Sequence, residues 1–278
     1  MQAVKEIVSR YTTYPFTFPS PFLLFLGDLI TMTCAGLTIA VYLYVEKLRN
    51  VLGKCIVSNL CCLLIISLDR IADNMVKFID MPPILDNVVV DFAFAYYLWF
   101  SIISYHLWKL LTSLSCAENP NQFRIYSIFV WVTTSIYVSA LYIMRRYLNI
   151  SSETASLMIC LPKCVAYGFN VVMFILTAHY MIKVKRELNR YKVQEETTVT
   201  CLDIDSQTYL QFVRISALMG VSYIIFAIFY YIRQSYFNER PFWVVICFDR
   251  FYGAFIFLML IPRRSTLSLL VDSFAAQA

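Results

Sequence analysis

Seven apolar stretches, each about as long as a bilayer is thick, divide this 278-residue chain. They run Phe22–Val45, Cys55–Ala72, Val88–Leu111, Ile125–Met144, Val165–Val184, Phe212–Ile232 and Phe242–Ile261. A hydrocarbon core about 30 Å thick needs roughly 20 such residues in a helix. Lipid cannot bond to backbone N–H and C=O groups, so each stretch has to be helical. The second is the weakest, being short and ending in Asp69-Arg70. No stretch has a proline in its interior. The expected fold is an all-α membrane protein: a seven-transmembrane helix bundle over 22–262, with a short tail at 1–21 and another at 263–278.

Composition closes the alternatives. Hydrophobic residues make up 60% of the chain and charged ones 15%, where soluble proteins carry about 25% charged. That is too little charge to solvate the outside of a protein of this size. The net charge of +5 is spread in short basic runs beside apolar stretches, which suits anionic lipid headgroups and gives no reason to expect nucleic acid. Of the nine cysteines, Cys34, Cys55, Cys61, Cys62 and Cys247 fall inside apolar stretches, where a thiol acts as a small hydrophobe. There is no C-x-x-C pair, no metal-ligand spacing and no nucleophile motif, so neither a cofactor nor an enzyme is expected.

Orientation follows from the Lys/Arg bias of the flanks. The first tail and the even-numbered connectors hold nine such residues; the odd-numbered connectors and the last tail hold thirteen. The bias places the N-terminus outside and the C-terminus in the cytoplasm of a plasma-membrane protein. The sequon Asn149-Ile-Ser151 then falls in an outer loop, as a glycosylation site must. After Arg263-Arg264, the apolar positions Leu267, Leu270, Val271 and Phe274 follow a helical period, which predicts a short amphipathic helix on the inner interface.

Ionisable groups at membrane depth are costly, and so informative. Asp28, Asp91 and Asp249 lie near the outer ends of the first, third and seventh stretches; Asp69 and Arg70 close the second, and Arg250 follows Asp249. Two readings are open: a polar pocket that receives a ligand, or mutual pairing that lowers the cost of burial. Near the inner ends sit Asn59, His106 and His179, either a polar lock broken by helix movement or groups satisfied one by one. Lys47 and Arg49 in the first inner connector, and Lys183, Lys185, Arg186 and Arg190 beyond the fifth stretch, are candidates to meet an intracellular partner or simply anionic lipid.

Several runs are shared with a known family. They are Lys47-Leu-Arg49-Asn50 with Gly53-Lys54-Cys55; Leu98-Trp99-Phe-Ser101-Ile-Ile-Ser104-Tyr-His106-Leu-Trp108-Lys109; and Asn170-Val-Val-Met173-Phe174-Ile-Leu176-Thr177 followed by Lys183-Val-Lys185-Arg186. Met219-Gly220-Val-Ser222, Gly253, Ile256-Phe257 and Arg264-Ser-Thr-Leu267 complete the set. The chain thereby resembles the insect Methuselah-like branch of the secretin-type G-protein-coupled receptors, over about Phe22 to Leu270. The resemblance implies an extracellular ligand, a peptide among the candidates, a heterotrimeric G protein as partner, and receptor homo- or hetero-oligomers.

It also exposes departures. Family members carry a large ectodomain where this chain has 21 residues before the first stretch. The family's bridge would use Cys160, yet Pro82–Val90 holds no cysteine to meet it. The fourth stretch reads Trp131-Val-Thr-Thr-Ser in place of a Gly-x-Pro, and Tyr223 and Phe226 stand where the family has a Trp and an acidic residue. These departures support an alternative expectation, a non-signalling family member that acts as a membrane partner of full-length receptors.

Overall fold

A computed structural model describes residues 21–79, 86–112, 121–147, 152–192 and 247–261. Six α-helices carry most of them: α1 (Pro21–Tyr44), α2 (Val51–Ile79), α3 (Asp86–Thr112), α4 (Gln122–Tyr147), α5 (Ser152–Lys192) and α6 (Tyr252–Leu260); residues 247–250 are helical as well. A 3-10 turn, Glu46–Leu48, joins the first two. Among the described residues, four helices contain spans long and apolar enough to cross a membrane: Phe22–Tyr44, Val51–Asp73, Gln122–Met144 and Leu161–Tyr180. The sixth predicted stretch, the Asn149 sequon and the predicted C-terminal amphipathic helix lie outside the described residues.

The α1–α2 reversal shows how local chemistry sets a boundary. Arg49 Nε donates to the Leu43 carbonyl at 2.7 Å, closing an unpaired group at the end of α1. Asn50 then caps α2, its Oδ1 accepting the Gly53 N–H at 2.7 Å. A Cβ on Gly53 would run into the Leu48 carbonyl oxygen, so this corner admits only glycine.

Two expectations about boundaries are corrected. First, α2 does not stop at Asp69-Arg70 but runs on to Ile79. A charged pair can sit inside a membrane helix when it faces protein, and Arg70 does so. Second, the region assigned to a connector up to Cys164 is helical from Ser152, which puts Pro162 inside α5. Proline removes the N–H that would bond to the carbonyl four residues back, here that of Met158. Tyr137 Oη of α4 donates to that same Met158 carbonyl at 2.8 Å. A neighbouring helix thus supplies the missing donor, which is how a proline is tolerated at membrane depth.

Packing centres on α3, which touches α2, α4 and α5. Its Trp99, Ile103 and Leu107 are almost wholly buried. Cys55 and Leu60 of α2, Val130 of α4 and Ile256 and Leu260 of α6 complete that core. The exterior is the reverse of a soluble protein's. Ile128, Ile136, Val165, Ile175 and Leu37 are more than half exposed, and apolar faces on this scale need lipid or a partner as solvent.

Helices α1 and α6 approach through small residues. A Cβ on Gly253 would sit 2.7 Å from both the Thr31 carbonyl oxygen and Thr31 Cγ2. Close backbone approach of this kind is the usual contact between membrane helices. Thr31 Oγ1 donates to the Arg250 carbonyl at 2.5 Å and accepts the Gly253 N–H at 3.3 Å.

Candidate functional site

That seam positions a cluster of charges at the end of the bundle formed by the start of α1, the latter part of α2 and the helical residues 247–250 that precede α6. Asp28 of α1 is fully buried. Arg250 Nη1 donates to its Oδ2, and Arg70 Nη1 of α2 lies 3.8 Å from its Oδ1. Arg70 Nη2 also donates to Asp249 Oδ2 at 2.7 Å. Two carboxylates and two guanidiniums therefore form one neutral chain, Asp249–Arg70–Asp28–Arg250, that spans three elements. Its two halves differ. Asp28 itself is sealed, while Asp249 is 60% exposed and Arg70 and Arg250 are 28% and 21% exposed.

Of the outer candidates, the structure brings Asp28, Arg70, Asp249 and Arg250 together. Mutual pairing, one of the two readings open at the sequence level, describes this clasp. Its most exposed part is the Arg70–Asp249 arm. Asp69 is half-buried on the turn beside Arg70. Asp91 is half-buried on α3, and among the described residues its Oδ1 is enclosed with no hydrogen-bond partner.

At the opposite end, Asn59, His106 and His179 do not form one lock. Asn59 Nδ2 donates to the Tyr96 carbonyl at 2.9 Å, ten residues or about 15 Å along α3 from His106. His179 is exposed on α5. The buried His106 instead meets Tyr126 of α4, its Nδ1 lying 3.4 Å from the phenol oxygen. Gln122 Nε2 donates to that oxygen at 2.6 Å. The Tyr126 phenol oxygen thus links Gln122 of its own helix to His106 of α3. Sequence reasoning missed this pair because Tyr126 is an uncharged residue in an apolar stretch, and only helix rotation turns it toward α3.

Among the basic candidates, Lys47, Lys183 and Arg186 are exposed. Arg49 is exposed as well, but its Nε is engaged in capping α1. Lys185 and Arg190 lie on α5, with their side chains outside the description. Lys54, at the start of α2, sits 5.9 Å from the centre of the Phe123 ring at the start of α4. That contact places the basic first connector at the same end of the bundle as His106 and Tyr126.

The relatives of this chain decide its family. It is 37% identical to the Probable G-protein coupled receptor Mth-like 7 of Drosophila melanogaster, over 88% of this chain and 54% of that protein. It is 31% identical to the Probable G-protein coupled receptor Mth-like 12 of the same fly, over 85% of this chain and 53% of that protein. The chain belongs with the Methuselah-like receptors. The G-protein coupled receptor Mth of Drosophila yakuba matches as well, at 30% identity over 87% of this chain and 51% of that protein. No protein-family model matches. This Methuselah-like chain spans about half the length of the curated relatives it matches. With its apolar helices and relatives named as receptors, it is a membrane protein of receptor descent.

Proposed function

We propose that the chain is a seven-transmembrane receptor of the plasma membrane that passes an extracellular signal to a heterotrimeric G protein. The observation that carries this reading is its similarity, over most of its length, to proteins named as G-protein coupled receptors. The N-terminus faces outside, Asn149 carries a glycan, and the Asp28 clasp lies at the outer end. A ligand, peptide or otherwise, whose acidic group takes Arg70 withdraws one of the two cations serving Asp28. Helix α2 is then free to shift against α1 and α6, moving a pre-existing equilibrium between two packings. At the inner end, Lys47, Lys183, Lys185, Arg186 and Arg190 supply the surface for the G protein, and the His106–Tyr126 pair ties α3 to α4 in the resting packing.

The test is G-protein dissociation in cells whose surface delivery is measured in parallel. Arg70→Gln, which opens the arm while leaving Arg250 on Asp28, is expected to raise basal activation about two- to fivefold. Silence of both the native chain and this variant at full surface density, with every G-protein class supplied, would remove the signalling reading. It would instead favour a membrane partner of full-length receptors, the reading supported by the lack of a cysteine in Pro82–Val90 and by Tyr223 and Phe226. Co-precipitation with a full-length relative then checks that role.

A further inference from the structure

Two membrane spans begin at the end of the bundle that holds His106 and Tyr126: Val51–Asp73 of α2 and Gln122–Met144 of α4. Each admits one cation just inside its edge. Lys54 is the fourth residue of the first span and Arg124 the third residue of the second, so both stand where hydrocarbon gives way to headgroups, and long basic side chains there reach back to the interface. Both are exposed. Lys54 Nζ lies 5.9 Å from the centre of the Phe123 ring, and Phe123 adjoins Arg124 in the chain, so this contact brings the two cations to one corner, where α2 passes α4. Among the described residues neither cation takes part in an ion pair. Neither helix has an acidic residue in its first turn.

The surface next to this corner is apolar and open. Ile128 and Trp131 follow Arg124 by four and seven residues, which keeps all three on one helix face. They are 64% and 39% exposed, so an apolar strip runs from Arg124 into the membrane. Tyr126 turns the other way, onto His106 of α3. Arg124 and its strip therefore lie on the lipid-facing flank of the bundle, with unpaired positive charge at the headgroup level and bare hydrocarbon contact beside it.

We propose that the α2–α4 corner binds a phosphoinositide, Lys54 and Arg124 each taking a phosphate and the acyl chains lying along Ile128 and Trp131. Arginine meets a phosphate through its planar fork and lysine through a point charge. A zwitterionic headgroup brings no net charge to this corner, and phosphatidylserine brings one negative charge to two cations. A phosphorylated inositol ring brings several, on phosphates set apart from one another as the cations are set on two helices. Basic pockets between helices on the cytoplasmic side are suited to such headgroups. The cytoplasmic leaflet follows from the orientation proposed above; the site itself does not depend on it.

The test counts lipid retained by the full chain, by native mass spectrometry, after release from phosphatidylcholine nanodiscs. The discs are doped with phosphatidylinositol bisphosphate or with phosphatidylserine at matched total charge. The native chain is expected to retain the bisphosphate about tenfold more strongly. Lys54→Gln and Arg124→Gln should each reduce that retention about fivefold, the usual effect of one basic residue near a membrane surface. Lys109→Gln should leave it unchanged, because exposed Lys109 stands one turn beyond Tyr105, on the side of α3 that faces α4 and α5. Equal retention of the two lipids by the native chain overturns the proposal without recourse to any variant. So does a polyglutamate peptide that binds phosphatidylcholine discs through Lys54 and Arg124 more tightly than the bisphosphate does, which would give the corner to a protein. Soluble inositol trisphosphate binding as tightly as the lipid would overturn it as well, since the acyl chains would then contribute nothing. Nanodiscs offer lipid to both ends of the bundle, so an inverted molecule would still give the expected result, and failure of the orientation is told apart from failure of the site.

Discussion

A carboxylate with no solvent exposure has to keep its counter-charge in contact, and Asp28 keeps two. Arg250 is the nearer and Arg70 the more exposed, so the two cations are not equivalent. Removing one partner from a buried pair leaves an uncompensated charge and costs about 3–5 kcal/mol. Arg250→Gln should therefore destabilise the protein by about 3 kcal/mol or more, read as a lowered midpoint of thermal unfolding in nanodiscs. The double variant Asp28→Asn, Arg250→Gln should recover much of that loss, because neutral amides do not need the clasp. Arg70→Gln should cost less, about 1 kcal/mol, since its principal partner Asp249 is largely in solvent. If Arg250→Gln and Arg70→Gln lowered the midpoint equally, the division into a sealed half and an open half would be wrong.

Helix α5 shows what can and cannot be read one element at a time. Its apolar run predicts a span, and the structure has one at Leu161–Tyr180. The helix before that run was illegible, because the residue that makes Pro162 acceptable is Tyr137, on another helix. The same holds for α2, where Asp69-Arg70 reads as an end until Asp28 of α1 and Asp249, just before α6, supply partners for Arg70. Charges at membrane depth could be picked out by type and position alone, since only their cost had to be known. Their partners could not, because helix rotation decides them, as it separates His106 from His179. The α5 account makes a definite prediction by double-mutant cycle. Tyr137→Phe alone should cost about 1 kcal/mol, in the range of hydrogen bonds between membrane helices. In the background of Pro162→Ala, the restored N–H of residue 162 satisfies Met158, and the same Tyr137→Phe change should cost close to nothing. Additive effects would show that Tyr137 contributes by packing against Phe94, whose ring centroid lies 4.3 Å away, and not through the carbonyl.

At the scale of the whole molecule, length becomes the argument. The 41 residues of α5 extend about 62 Å at 1.5 Å each, twice the thickness of the hydrocarbon core. About half of the helix must therefore stand in water or headgroups, with Ser152 on one side of the membrane and Lys183 and Arg186 on the other. The proposed orientation assigns the Ser152 end to the outside, next to Asn149, and the basic end to the cytoplasm. Two measurements in intact cells follow from it. Asn149→Gln should abolish a glycan-dependent mass shift, and a cysteine placed at Lys183 should react with a membrane-impermeant thiol reagent only after permeabilisation. Reaction at Lys183 in sealed cells, with no glycan on Asn149, would invert the molecule and put the Asp28 clasp in the cytoplasm. A clasp on that side could not meet an extracellular ligand, so this pair of readings tests the receptor proposal independently of any signalling assay.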